Sequence, residues 1–175
     1  WQSCNRKLFD KDPIVIDYMT DTGITNDYES PKDVGADRIV NAVATYNKYG
    51  GPAIIVDMGT AITFDVITED AKYLGGSIAP GIRIAQDGLF GMTAQLPKIE
   101  LRNPKTAIAR TTPESMNAGI VYGYIALIDG LISQIENELI NDYGITDEIK
   151  VVATGGYSEL IASESKYINR IEPDL

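Results

Sequence analysis

The sequence predicts an α/β layered domain, an antiparallel β-meander with flanking helices. Three features predict it: a strand–turn–strand pattern at residues 53–68, a further strand directly after it, and a long helical periodicity over residues 112–140. The opening "WQSCNRKLFDKD" has no periodic signal and reads as a linker or a cut end, the lack of an initiator Met favouring the second. "PIVIDY" (13–18) is a short apolar strand candidate, and "DTGITNDYESPKD" (21–33) is rich in turn residues and reads as a loop. Over 34–49, Ile39, Val40, Val43, Ala44 and Tyr46 form a helical stripe that Gly50-Gly51-Pro52 ends. "AIIVDMGTAITFDVIT" (53–68) is strand, tight turn and strand. "YLGGSIA" (73–79) is a third strand, broken at Pro80-Gly81, and a helix follows from near Gly81 towards Gly91.

The strongest helical pattern runs from Thr112 to Ile140, where Ile120, Val121, Tyr124, Leu127, Ile128, Leu131, Ile135 and Leu139 recur at intervals of three and four. Pro113 suits its first turn. Gly119 and Gly123, one turn apart, would permit close approach of a neighbouring element. "IKVVATGGYSELI" (149–161) reads as strand, Gly-Gly turn and short helix. No repeat or low-complexity segment interrupts this order.

Composition narrows the chemistry. A chain of 175 residues with 44% apolar and 23% charged residues suits one soluble globular domain. The net charge of −10, with no dense Lys/Arg block, argues against nucleic acid and anionic membrane as partners. No apolar run reaches about 18 residues and no signal peptide opens the chain. With Cys4 as the single cysteine there is no disulfide framework, and a cytoplasmic location is the expectation. The chain has no histidine, which excludes Ser-His-Asp, Cys-His and His-ligated zinc mechanisms. Acid–base work near neutral pH must fall to Asp, Glu, Lys or Tyr.

Four stretches could carry chemistry. In "DMGTAITFD" (57–65) an apolar strand runs into Asp57, turns through Gly59-Thr60 and meets Asp65. Such a turn presents N–H groups and a hydroxyl that suit a phosphate oxygen, with Asp57 placed to hold a cation; an ordinary self-capped hairpin fits the same residues. Asp65 is expected to support the turn or face water. In "GADR" (35–38), Arg38 offers a planar fork for a carboxylate and Asp37 can accept a proton; a helix cap beside a solvated arginine fits equally. "ATGGYSEL" (153–160) lets backbone approach a flat ligand or phosphate through Gly155 and Gly156. "GGSIAPGIRIAQDGLFGMTAQLP" (75–97) could wall off a small polar substrate. No Walker A or GxGxxG pattern occurs.

In combination and order, "GADRIVNAVA", "DMGTAITFD", "GGSIAPG" with "TAQLP", and "ATGG" resemble the type III pantothenate kinases, from about Tyr28 to about Leu160. The resemblance implies a ribonuclease H-like, actin-type ATPase domain over residues 34–175, with residues 1–33 as a linker or remnant of an N-terminal lobe. It implies ATP-dependent phosphorylation of pantothenate, the first step of coenzyme A biosynthesis, with Asp37 as general base. Tyr28, Gly35, Ala36, Asp37, Arg38 and Thr112 match substrate contacts; Thr60, Gly155 and Gly156 match ATP contacts; Asp57 matches the holder of a monovalent cation, K⁺ or NH₄⁺. ATP with Mg²⁺ is the expected cofactor, and a homodimer sharing the pantothenate site is the expected assembly. The family's N-terminal Asp-x-Gly-Asn-Thr turn has no counterpart here, so the resemblance implies a fragment that would not turn over ATP alone. The competing readings are a non-catalytic dimerisation or ligand-sensing domain of the same fold, and a phosphatase-like relative, which would need a carboxylate that activates water.

Overall fold

A computed structural model of the chain describes residues 14–93 and 96–175. The opening linker, Cys4, Pro13, and Ala94 and Gln95 of "TAQLP" lie outside the described residues. The elements run β1 (Thr25–Asn26), a 3₁₀ turn (Pro31–Asp33), α1 (Ala36–Tyr49), β2 (Ala53–Met58), β3 (Ala61–Ile67), β4 (Lys72–Pro80), α2 (Ile82–Met92), α3 (Thr112–Asn141), β5 (Lys150–Thr154), α4 (Ser158–Ala162) and β6 (Arg170–Ile171).

Six strands form one sheet in the order β1-β4-β3-β2-β5-β6. The β2–β3–β4 meander is antiparallel, as the strand–turn–strand pattern requires. The outer strands are parallel to their neighbours, which makes the sheet mixed. Strand alternation then sorts the side chains. Ile54, Val56, Met58, Ile62, Phe64 and Val66 face α3 and pack with Ile120, Val121, Ile128 and Ile132. Ile82 of α2 and Ile161 of α4 join the same cluster. Ala53, Ile55 and Ile67 face α1 and pack with Ile39, Ala42 and Tyr73. Each such fully buried aliphatic side chain contributes roughly 1.5–3 kcal/mol.

Among the described residues α3 alone is long and apolar enough to cross a membrane, yet it lies along the sheet. Its N-terminus follows the sequence logic: the Thr111 hydroxyl accepts from Glu114 N, with Pro113 in the first turn.

Four expectations change. "PIVIDY" is no strand over the described residues 14–18: Ile14 and Val15 are exposed, and the β4 edge is taken by Thr25–Asn26 instead. The segment 21–33 thus carries a short strand and a 3₁₀ turn rather than loop alone. In α1, Val40 is exposed, and the face turned to the sheet is Arg38, Ile39, Asn41, Ala42 and Thr45. Two of these are polar side chains whose partners lie on the strands, so burial follows pairing there rather than hydropathy. Gly119 and Gly123 have open space beside them rather than a packed neighbour.

Candidate active site

β2 and β5 run parallel and end side by side, with Asp57 in register with Thr154. Beyond those ends lie the Gly59-Thr60 turn and the Gly155-Gly156 turn. Open α/β sheets bind ligands at such carboxyl ends. Backbone crowding makes two glycines necessary. A methyl group on Gly81 would fall on the Thr60 carbonyl. One on Gly155, whose φ is +87°, would stand 2.8 Å from both Asp57 Oδ1 and the Met58 carbonyl. The "APG" and "ATGG" stretches are therefore pressed against the "DMGT" turn, and Gly59 and Thr60 stay exposed between them.

The N-terminus of α1 comes to the same end of the sheet. Asn41, one turn after Asp37, donates from Nδ2 to Asp57 Oδ2 at 2.9 Å. Asp37 itself is exposed, and its Oδ1 accepts the Arg38 N–H at 2.9 Å. Asp37 lies close enough for its charge to act on Asp57. Burial is the main force raising the Asp57 pKa; the Asn41 bond lowers it, Asp37 raises it, and the net shift is upward. Asp57 Oδ1 has no hydrogen bond among the described residues. A half-buried carboxylate repelled by another, with one neutral donor, suits a cation. No group of three or more carboxylates, histidines or cysteines able to hold a metal exists among the described residues.

Asp65 departs from expectation. It neither supports the turn nor faces water; it is fully buried on the α1 side of β3. Arg38 Nε donates to its Oδ1 at 2.7 Å, Tyr73 OH donates to the same oxygen at 2.6 Å, and Thr63 Oγ1 donates to Oδ2 at 2.8 Å. Burial raises the Asp65 pKa, opposed by Tyr73, Arg38 and Thr63. Burial and the Asp65 charge raise the Tyr73 pKa far enough that it remains a donor. Thr63 stands directly across from Asp57, so Asp57, Thr63 and Asp65 form one polar row on this face.

The other expected residues divide. Gly35 and Ala36 open α1 beside Asp37. Tyr28 packs over Gly75 and against Tyr73, with ring centroids 6.5 Å apart. Gly156 is exposed and has open space beside it. Thr112 lies apart, in a groove of about 1210 Å³ between α2 and α3, where Leu89, Met92, Gly119 and Tyr124 also line the wall. Tyr124 connects groove and turn: its hydroxyl donates to the carbonyls of Pro80 (3.0 Å) and Gly81 (3.2 Å). A second cleft, of about 630 Å³, is lined by residues such as Pro52, Thr68 and Asp147 and includes none of these site residues.

A family model described as type III pantothenate kinase matches residues 1–134. The chain belongs to that family. A type III pantothenate kinase from Finegoldia magna is 51% identical over 167 residues, covering 95% of this chain. The chain spans 63% of that relative's length. A crystal structure from Campylobacter jejuni, described as a Baf family transcriptional activator, superimposes with a TM-score of 0.51 at 21% identity. That match covers 77% of this chain and 57% of the other, and it speaks for the fold alone. The helix-flanked mixed sheet agrees with the actin-type ATPase fold expected of the family.

Sequence reading passed over Asn41, Thr63, Tyr73 and Tyr124. Two signals were within reach. Asn41 is one helical turn from Asp37, and the alternation that puts Met58 and Ile62 on one face, with three residues between them, sets Thr63 opposite Asp57 on the other. Nothing local marks Tyr73 or Tyr124, whose partners are set by packing.

Proposed function

We propose that the protein phosphorylates pantothenate with ATP, the first step of coenzyme A biosynthesis. One observation carries the reading: the helix that begins at "GADR" and the strand that ends at "DMGT" meet through the Asn41–Asp57 bond, setting two carboxylates beside an exposed Gly-Thr turn. Phosphoryl transfer depends mainly on positioning and charge stabilisation. ATP, when bound with Mg²⁺, supplies the transferable phosphoryl group. In this reading Thr60 and the backbone of Gly155 and Gly156 hold the nucleotide side, with the N-terminus of α2 close by to favour phosphate. Asp57 holds a monovalent cation, which offsets the charge that burial and Asp37 make costly. Asp37, exposed at the helix start, takes the proton from the substrate's primary hydroxyl. Tyr28 and Arg38 bind the rest of the substrate.

The same reading makes the protein a cytoplasmic homodimer, with residues 34–175 as its C-terminal ATPase domain. Thr112 stands in the α2–α3 groove rather than beside Asp37, which suits a substrate site completed by a second copy.

The test compares the full-length protein with its Asp37→Asn variant, with and without potassium. The substitution is expected to lower pantothenate phosphorylation by about 10²- to 10⁴-fold, and potassium to stimulate the wild type. Undiminished turnover in the variant removes Asp37 from the mechanism.

A further inference from the structure

We infer that Asp65 is a positioning residue for substrate binding: it orients Arg38 so that the guanidinium meets the substrate's carboxylate. This rests on the function proposed above.

A buried Arg–Asp pair is poorly explained by stability, because packed apolar residues in its place are often as good or better. Every contact to Asp65 restricts direction instead. Tyr73 and Thr63 hold its two oxygens from separate strands. Arg38 approaches from the helix and spends its Nε edge on Oδ1. Arg38 Nη2 also lies 2.7 Å from Oδ1, in ion-pair contact but out of hydrogen-bond alignment. The Tyr73 ring lies 5.8 Å below the guanidinium carbon and restrains its plane from a third side.

A guanidinium carries five N–H donors, and here a single one makes an aligned side-chain bond among the described residues. Arg38 is 8% exposed, so its remaining donors are held in a largely desolvated place. There they are strong ligands for an anion and costly to leave unmet. The position also fits the reaction. Arg38 adjoins Asp37, and the Asp57–Thr63–Asp65 row runs along the sheet beneath both. An unanchored arginine would lose rotamer freedom on binding substrate; Asp65 removes that loss in advance. The consequence is an effect on affinity for the acid substrate and little effect on the chemical step.

The experiment is steady-state kinetics of the full-length protein and its Asp65→Asn variant, with melting temperatures alongside. Asp65→Asn is expected to raise KM for pantothenate about 10- to 100-fold, with kcat within about threefold and KM for ATP unchanged. Arg38→Lys should show a similar rise, and adding Asp65→Asn to it should raise KM no further, because both act through one group. If Asp65→Asn does not fold, Tyr73→Phe and Thr63→Val decide, each expected to raise KM for pantothenate about threefold. A lowered melting temperature with KM for pantothenate unmoved overturns the inference, as does full additivity with Arg38→Lys. A wild type that phosphorylates pantothenate while these variants keep its KM overturns this inference alone. A wild type without that activity overturns the function and this inference with it.

Discussion

The two faces of the sheet use the same strands for different ends. Towards α3, Ile54, Val56, Met58, Ile62, Phe64 and Val66 are at most 4% exposed, and their neighbours are apolar. Towards α1, the strands begin in the same way with Ala53 and Ile55, then present Asp57, Thr63 and Asp65 near the end where α1 starts. The polar groups there are met by Asn41, Arg38 and Tyr73. One face supplies stability without direction; the other holds direction-bound groups at a helix–sheet junction. A domain can keep carboxylates beside its core only if each is paired or left in reach of a cation.

Substitutions can break or sharpen that contrast. The largest effect is expected on the α3 face. Phe64→Ala should cost about 3–5 kcal/mol, read by denaturant unfolding, while activity per folded molecule is kept. Loss of activity at full folding would mean the faces are not separable. Gly155→Ala should come next. It forces a side chain into a left-handed residue at a cost of about 1–2 kcal/mol, and its methyl crowds Asp57 Oδ1. Lower stability together with weaker ATP binding by calorimetry is the expected result.

The smallest effect has the opposite sign. Asp57 has a raised pKa in the fold, so its ionisation costs the ligand-free protein stability as pH rises through that value. Asp57→Asn should therefore melt slightly higher than wild type near pH 7, with the difference closing as pH falls towards the ordinary Asp value of 3.8. It should also abolish any potassium stimulation. A variant that melts lower at neutral pH would show that Asp57 is structural, and the contrast between the faces would fail.

Much of this architecture was legible without coordinates. The 3.6-residue period of α3 and the alternation around Gly59-Thr60 each depend on neighbours within a few positions, and both elements stand where the pattern puts them. The α1 stripe was half legible. Ile39 obeys hydropathy, but Arg38 and Asn41 are turned inward by partners that hydropathy does not see. The "PIVIDY" segment failed for a related reason: a short apolar run becomes a strand only where a sheet edge is free to pair with it, and β1 holds that edge.

Family membership was readable because motif order survives in the linear chain, as the match over residues 1–134 bears out. Local sequence also determined the main strands and helices, since propensity, caps and turns act over a few residues. Tertiary structure alone decided which carboxylate is open and which is enclosed. Asp57 and Asp65 sit on neighbouring strands of similar character, yet one meets an amide 16 residues away and the other a guanidinium 27 residues away. The fate of a charge depends on what is folded against it, and no short stretch of sequence carries that information.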